Sequence, residues 1–362
     1  MRIVLHIGFE KTGTTTIQNA MWHAAKVLRR QGVLYPLGFG RRGHEHLALA
    51  MIAPELMTDI RYWQQLVQNP DEFPTFRADI RERLGRQIAR VKPETMVVST
   101  EFLSSRLEDA VAVRSIKEFF APWSDDFTIV AGIRRQDDTF VSHYSTTVKG
   151  NCDQRLDVYD QRAFWLDYDK VLGDWAEVFG AENLVIRTFP PEGGDLLKEF
   201  TDACGLPDIP SPPQEHLNPS LDHLNASLLA DLNKRLPTHV DMAPNPARAG
   251  LVDFLEARSN GPKLEIGLAA RQALLDDYAE GNEAVRARFF PDRATLFATD
   301  LSDAPVPEMA GYEDALDLVI DIWSERAEVM ARLHEAERKS ARGRIRALKN
   351  LARRILRRWR FG

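Results

Sequence analysis

The run His6-Ile7-Gly8-Phe9-Glu10-Lys11-Thr12-Gly13-Thr14-Thr15-Thr16 places two glycines and a lysine in a short loop and follows them with hydroxyl residues. That combination suits an anion. Glycines let backbone N–H groups approach phosphate oxygens, and a helix opening at the threonines adds the positive end of its dipole. A Walker A loop needs Gly-Lys-[Ser/Thr] after four intervening residues. Here Lys11 precedes the second glycine, and Thr14 stands where the lysine should be. The shift argues against an ATPase or kinase, and no Mg²⁺-binding Asp follows a strand to support one. An ordinary glycine loop is the plainer reading of any one such stretch, and the full string argues against it.

A second concentration of donors lies at Gly132-Ile133-Arg134-Arg135-Gln136-Asp137-Asp138, with Ser142 further on. Arginine offers a planar fork matched to phosphate oxygens. Taken alone, an Arg pair before a helix reads as a solvated face. Two anion-binding half-sites in one chain are a stronger pattern than either alone.

Positioning these groups requires strands that end at them. Arg2–Ile7 reads as a short buried strand that stops at Gly8, and Ile17, Met21, Ala24 and Leu28 then recur at helical spacing. Arg29 and Arg30 favour that helix's C-terminus, and Gly32 is a stop. Val33–Tyr35, Met96–Thr100, Phe127–Ile133 and Leu184–Ile186 read as further strands. An Asp after Arg135 is expected to cap a helix carrying Phe140, Val141, Tyr144 and Val148. Helical spacing also covers 55–92, with a break near Asn69-Pro70, and 223–235, 266–289 and 310–337. Pro207–Pro219 is a proline-rich connection, and Pro237–Lys263 reads as loop. Alternating strands and helices imply a mostly parallel sheet covered on both faces. The expected class is α/β, a three-layer P-loop-like domain with a C-terminal helical extension. Residues 1–222 form the core, 223–337 complete the same domain, and 338–362 form a tail.

The loop resembles the 5′-phosphosulfate loop of the sulfotransferases that use 3′-phosphoadenosine-5′-phosphosulfate (PAPS), whose bacterial members carry Lys-Thr-Gly-Thr-Thr after His-Ile-Gly. That resemblance implies that Lys11 contacts the bridging oxygen and stabilises charge on the leaving phosphate. Thr12, Gly13, Thr14, Thr15 and Thr16 would supply the remaining 5′-phosphate donors. The family also places an Arg at the end of a buried strand and a Ser eight residues later for the 3′-phosphate. Arg134 and Ser142 match that spacing, whereas Arg135 is seven residues from Ser142. Similarity continues through Gly32-Val33-Leu34-Tyr35-Pro36, Ser99-Thr100-Glu101, Val185-Ile186-Arg187-Thr188-Phe189 and Asn218-Pro219-Ser220-Leu221. It also touches Asn282-Glu283, Arg286 and Phe290, and it covers roughly residues 1–300. The Arg-Lys-Gly string that animal cytosolic members use near the 3′-phosphate is absent. The implied reaction transfers a sulfuryl group from PAPS to a hydroxyl of a carbohydrate or glycolipid and releases PAP without a metal. A non-catalytic nucleotide- or glycan-binding protein on the same scaffold is the alternative.

Such a transfer needs a group to accept the hydroxyl proton. His46 resembles the histidine of a His-x-x-Leu-Ala string that follows the Tyr-Pro element in the bacterial branch. Glu101 ends a strand, at the edge where parallel sheets bind ligands, and Glu10 sits inside the phosphate loop. The bland alternatives are a surface histidine, a helix-capping carboxylate and a solvated loop acid. His6, within the first strand, and His143 read as structural.

Composition bounds the remainder. Hydrophobic residues make up 44% and charged residues 28%, close to globular averages, so an ordinary buried core is expected. Cys152 and Cys204 match neither a disulfide framework nor a metal spacing. Ile3–Ile7 is too short for a signal peptide, and no stretch approaches a membrane span, so a soluble cytoplasmic protein is expected. From Arg338 on there are eleven basic and no acidic residues; with the whole chain at −6, residues 1–337 carry −17. Ile345, Leu348, Leu351, Ile355 and Trp359 fall on one helical face of that tail. A basic amphipathic helix with a Trp reads as an element for an anionic membrane surface, here the inner face. Docking on the acidic body and a frayed end are its competitors. No nucleic-acid reading module is present, so nucleic acid is not an expected partner.

Overall fold

The computed structural model describes residues 1–52, 72–160, 162–190, 194–210, 220–240, 243–245, 248, 250–301 and 303–307, with scattered positions between 312 and 338. The chain forms two compact units. One comprises Met1–His143, Asp160–Leu217 and Gly267–Ala304; the other comprises Tyr144–Tyr159, Asn218–Ile266 and Pro305–Gly362.

The first unit is built on strands β1 (Arg2–His6), β2 (Val33–Leu34), β3 (Thr95–Ser99), β4 (Phe127–Arg134) and β5 (Leu184–Phe189). They form one sheet in the order β2-β3-β1-β4-β5, and every pairing is parallel. Around it lie α1 (Thr14–Arg30), α2 (Glu45–Met51), α3 (Phe73–Val91), the single turn α4 (Phe102–Ser105) and α5 (Ala110–Phe120). Then follow α6 (Gln136–Gly150), α7 (Tyr168–Phe179) and α8 (Leu196–Cys204).

Strand alternation separates two cores. Ile3 and Leu5 join Met96, Val98, Ile129 and Ala131 on one face, covered by Ile116 and Phe120 of α5 and Trp175 and Phe179 of α7. Val4 joins Val97 and Val130 on the other face, under Ile17, Met21 and Leu28 of α1 and Phe200 of α8. The fold is therefore α/β with a central parallel sheet between helical layers, as the strand–loop–helix pattern implies. The stripe that marks α1 in the sequence is its buried face: Ile17, Met21, Ala24 and Leu28 are at most 3% exposed. Burying a side chain of the size of Ile, Met or Leu contributes about 1.5–3 kcal/mol.

In the second unit, α9 (His223–Arg235) packs with α10 (Leu251–Glu256). Asp231 of α9 pairs with Arg155 at 2.5 Å and accepts from Tyr312 at 2.9 Å. The first unit continues with α11 (Leu268–Asp277) and α12 (Ala279–Phe289).

Several elements depart from the sequence reading. Pro237–Lys263 is not all loop: it contains the hairpin β6 (His239–Val240) and β7 (Ala243–Pro244) as well as α10. The 266–289 helix is two helices, because Tyr278 leaves helical geometry between α11 and α12. No Asp caps α6. Its first residue is Gln136, and Asp137 instead turns inward to two arginines, accepting from Arg135 Nε at 2.7 Å and from Arg271 Nη1 at 2.5 Å. The break near Asn69-Pro70, most of the connection to Pro219 and nearly all of the 338–362 tail lie outside the described residues. Among the described residues, no helix is long and apolar enough to cross a membrane.

Two buried histidines tie the site's supports together. His6 Nδ1 lies 2.8 Å from Ser99 Oγ. His44 accepts the Ser99 N–H at Nδ1 (2.9 Å), so its proton sits on Nε2, which donates to the Pro36 carbonyl at 2.8 Å. Burial lowers both rings from 6.5 to about 4. Between those values the unfolded chain binds protons that the folded chain does not, so stability is full above pH 6.5 and falls as pH drops toward 4. Chemical denaturation across that range is expected to give such a slope, reduced when His44 is replaced by Gln.

Candidate functional site

The site begins where β1 ends. Ile7 N–H donates to the Val130 carbonyl at 3.0 Å, and the chain then leaves the sheet at Gly8. Phe9 is fully buried and packs edge-on against Tyr168, with centroids 4.9 Å apart. Its carbonyl organises the loop, accepting the Thr12 hydroxyl at 2.6 Å and the Thr14 hydroxyl at 3.4 Å. Those two hydroxyls therefore face inward, and both side chains are buried. Thr15 is exposed and Thr16 half-buried at the opening of α1.

Three residues of the loop are left-handed: Gly8 (φ 48°), Lys11 (φ 69°) and Gly13 (φ 81°). Gly13 caps α1 without a side-chain bond, and a Cβ there would lie 2.5 Å from Leu196 Cδ2. Both conformation and space require glycine at that position. With no side chain at the cap, the opening of α1 points the positive end of its dipole outward, while the Thr16 N–H already donates to the Gly13 carbonyl at 3.0 Å.

Arg134 ends β4, and its Nη1 donates to the Lys11 carbonyl at 3.3 Å, joining two segments 123 residues apart. The guanidinium lies over Phe189 of β5, 5.6 Å from its ring centroid. The Arg134 carbonyl accepts from Tyr168 at 2.6 Å, which fixes the strand end. Its Nε is buried with no hydrogen-bond partner among the described residues. A donor held in this way favours an incoming anion. Arg135 is turned elsewhere: it grips Asp137 through Nε and Nη2 and donates to the Ala298 and Asp300 carbonyls at 3.1 and 2.6 Å. Ser142, half-buried, lies on α6 roughly 9 Å along the axis from the helix start.

The three candidate proton acceptors have different surroundings. Glu101 follows β3, and its Cα is 3.8 Å from where a Cβ on Gly8 would sit, directly beside the loop. Gln18 of α1 donates to its Oε2 at 2.9 Å. Burial raises the Glu101 pKa above 4.5, reinforced by the Glu10 and Glu45 charges and opposed by hydrogen bonds from its own backbone and Gln18. His46 stands on the first turn of α2, its N–H bonded to the Phe39 carbonyl at 2.8 Å. Burial lowers its pKa, Glu45 raises it, and Arg83 of α3 lowers it further. Its charged neighbours are thus those of α2 and α3. Glu10 is ion-paired: Oε1 is 3.3 Å from Arg106 Nη1, and Oε2 is 3.6 Å from His143 Nε2.

Two histidines border the site without being among the candidates. His44 is a buried pin between the Pro36 carbonyl and the Ser99 N–H. His143 looked structural yet faces the phosphate loop, where burial and the charges of Lys11 and Arg106 lower its pKa and Glu10 raises it. No spacing rule links residue 143 to residue 10; only the path of α6 across the sheet edge brings them together.

No family model and no curated protein matches this chain. Among solved structures, it is similar to a sulfotransferase from Alicyclobacillus acidocaldarius, with 12% identity, 79% of this chain and 94% of that chain covered, and a TM-score of 0.42. It is also similar to the sulfotransferase domain from the curacin biosynthetic pathway, with 11% identity, 77% and 97% of the two chains covered, and a TM-score of 0.34.

Proposed function

We propose that this chain is a PAPS-dependent sulfotransferase acting on a hydroxyl of a carbohydrate or glycolipid. The observation that carries the reading is the junction of the two half-sites: Arg134 Nη1 on the Lys11 carbonyl, with Arg134 Nε buried beside it and lacking a partner among the described residues. One anion held by the loop and a second held by Arg134 correspond to a nucleotide with phosphates at both 5′ and 3′ positions.

In this reading the loop's backbone N–H groups, with Thr15 and Thr16, hold the 5′-phosphosulfate, and Arg134 and Ser142 hold the 3′-phosphate. The acceptor oxygen forms a new bond to sulfur while the bond from sulfur to the 5′-phosphate oxygen breaks. The acceptor's proton passes to the Glu101 carboxylate, and the charge left on the departing oxygen is stabilised by Lys11. PAP leaves. Glu101 is preferred over His46 because it borders the loop and its raised pKa suits a proton acceptor; His46 is surrounded by Glu45 and Arg83. Sulfuryl transfer places a single negative charge on the moving group and needs no metal.

The test is a thermal-shift comparison without added metal. PAP at one hundred times its dissociation constant is expected to stabilise the fold by about 2.7 kcal/mol, and ATP at the same concentration by far less. Equal shifts for PAP and ATP would remove the case for a 3′-phosphate site. A mass-spectrometric screen of glycans and glycolipids with PAPS then identifies the acceptor. PAP binding without any sulfated product would favour the non-catalytic alternative.

A further inference from the structure

We infer that Glu10 is a positioning residue that clamps the phosphate loop in its left-handed turn and thereby places Lys11; the inference rests on the sulfuryl-transfer reading for what Lys11 does, but the clamp itself does not. Lys11 at φ 69° is a non-glycine residue in a region that L-residues avoid, and such conformations persist only where the surroundings impose them. The surroundings here act from both sides. On the far side, Arg134 Nη1 holds the Lys11 carbonyl at 3.3 Å. On the near side, the carboxylate of the preceding residue is held between two elements far apart in sequence.

Arg106, just past α4, contributes the first tie. Its Nη1 reaches Glu10 Oε1 at 3.3 Å and also donates to the Ser105 carbonyl at 3.0 Å and the Ser105 hydroxyl at 2.9 Å. The guanidinium lies 5.0 Å from the centroid of Phe102, so it is fixed against its own turn. His143 of α6 contributes the second tie, 3.6 Å from Glu10 Oε2, with its ring set edge-on to Trp165 at 5.3 Å. Glu10, His143 and Arg106 are only 17%, 20% and 23% exposed, so solvent screens these ties little. The cation facing Glu10 is Arg106, with the titratable His143 ring, whose pKa burial lowers, on the other side and the Lys11 and Glu101 charges close by. The Glu10 carboxylate is held from two sides. It is well suited to stop the loop from relaxing to an extended path that would move the Lys11 amine.

Two arms test the clamp. In ligand-free protein, Glu10→Gln and Arg106→Gln are expected to raise hydrogen exchange of loop amides 8–14 by roughly tenfold or more, with sheet amides unchanged and Glu10→Asp restoring protection. On the pH plateau, Glu10→Gln is expected to lower kcat for PAP release from PAPS by about 10–100-fold, while the PAP dissociation constant stays within about threefold. Because Glu10 acts through Lys11, adding Glu10→Gln to Lys11→Ala should cost no further turnover. Unchanged loop exchange overturns the clamp, and so does a double variant whose losses multiply. If the exchange arm holds while PAP binds no better than ATP, the clamp stands and the sulfuryl-transfer reading falls.

Discussion

Replacing Glu101 by Gln is expected to lower turnover of PAPS by roughly 10²–10⁴-fold, the usual range for losing a general base. Gln keeps the shape of the side chain and an oxygen for Gln18, whose Nε2 donates to Glu101 Oε2 at 2.9 Å, so the local fold should persist and PAP affinity should not change. What disappears, on the proposed reading, is the group that would accept the hydroxyl proton. The wild-type pH profile of kcat should carry an acid limb above the ordinary carboxylate value of 4.5, since burial and the Glu10 and Glu45 charges raise the Glu101 pKa. That limb should vanish in Glu101→Gln. The stability effect has the opposite sign. A raised folded-state pKa means the folded chain holds the proton longer, so the ionised carboxylate costs stability once pH exceeds that value. Below the ordinary value there is no cost. Glu101→Gln should therefore melt at the same temperature as the wild type, or higher, at neutral pH. If Glu101→Gln retains turnover and His46→Gln loses it, the base is His46.

Lys11→Ala and Arg134→Ala should separate the two halves of the nucleotide site. On the proposed reading Lys11 acts on charge that develops as the bridging oxygen departs, so its removal is expected to lower kcat by roughly 10²–10³-fold with a small change in PAP affinity. In the same reading Arg134 would meet the 3′-phosphate in the ground state as well as the transition state. Its removal is expected to weaken PAP binding by about 2–4 kcal/mol, or roughly 30- to 900-fold, with kcat less affected at saturating PAPS. Arg135→Ala is the control. Arg135 grips Asp137 and the 298–300 carbonyls, so its loss should lower the melting temperature and leave PAP affinity intact. Calorimetry with PAP and steady-state kinetics distinguish the three. Greater loss of PAP affinity in Arg135→Ala than in Arg134→Ala would move the 3′-phosphate arginine by one residue.

The elements that hold the site were legible because local physics specifies them. Apolar β-branched runs bounded by glycine and charge are strands wherever a sheet is covered on both faces, and the Ile17, Met21, Ala24 and Leu28 stripe can serve only a helix with one buried face. The 223–235 helix was read with the bounds it has, since Asp222 caps it through Asn225 N–H at 2.8 Å and a cap is a local contact. The turn between β1 and α1 was legible for the same reason: its glycines and the threonines that open α1 act within a few residues of one another.

Where charges pair over long separations, the sequence was silent. Asp137 looked like a cap and became the partner of Arg271, 134 residues away. Glu10 was a candidate proton acceptor with a solvated acid as its plainer reading, and it lies against Arg106 and His143, while His44 pins its loop to Ser99. Nothing in the spacing of such residues differs from that of solvated ones, because an ion pair depends on which helix crosses which sheet edge. The sequence by itself determined the parallel α/β framework, the glycine loop between β1 and α1 and the arginine at the end of β4. Only the tertiary structure decided which carboxylate stands beside the loop with a raised pKa and which is held in place, since burial and neighbouring charge belong to the packed state.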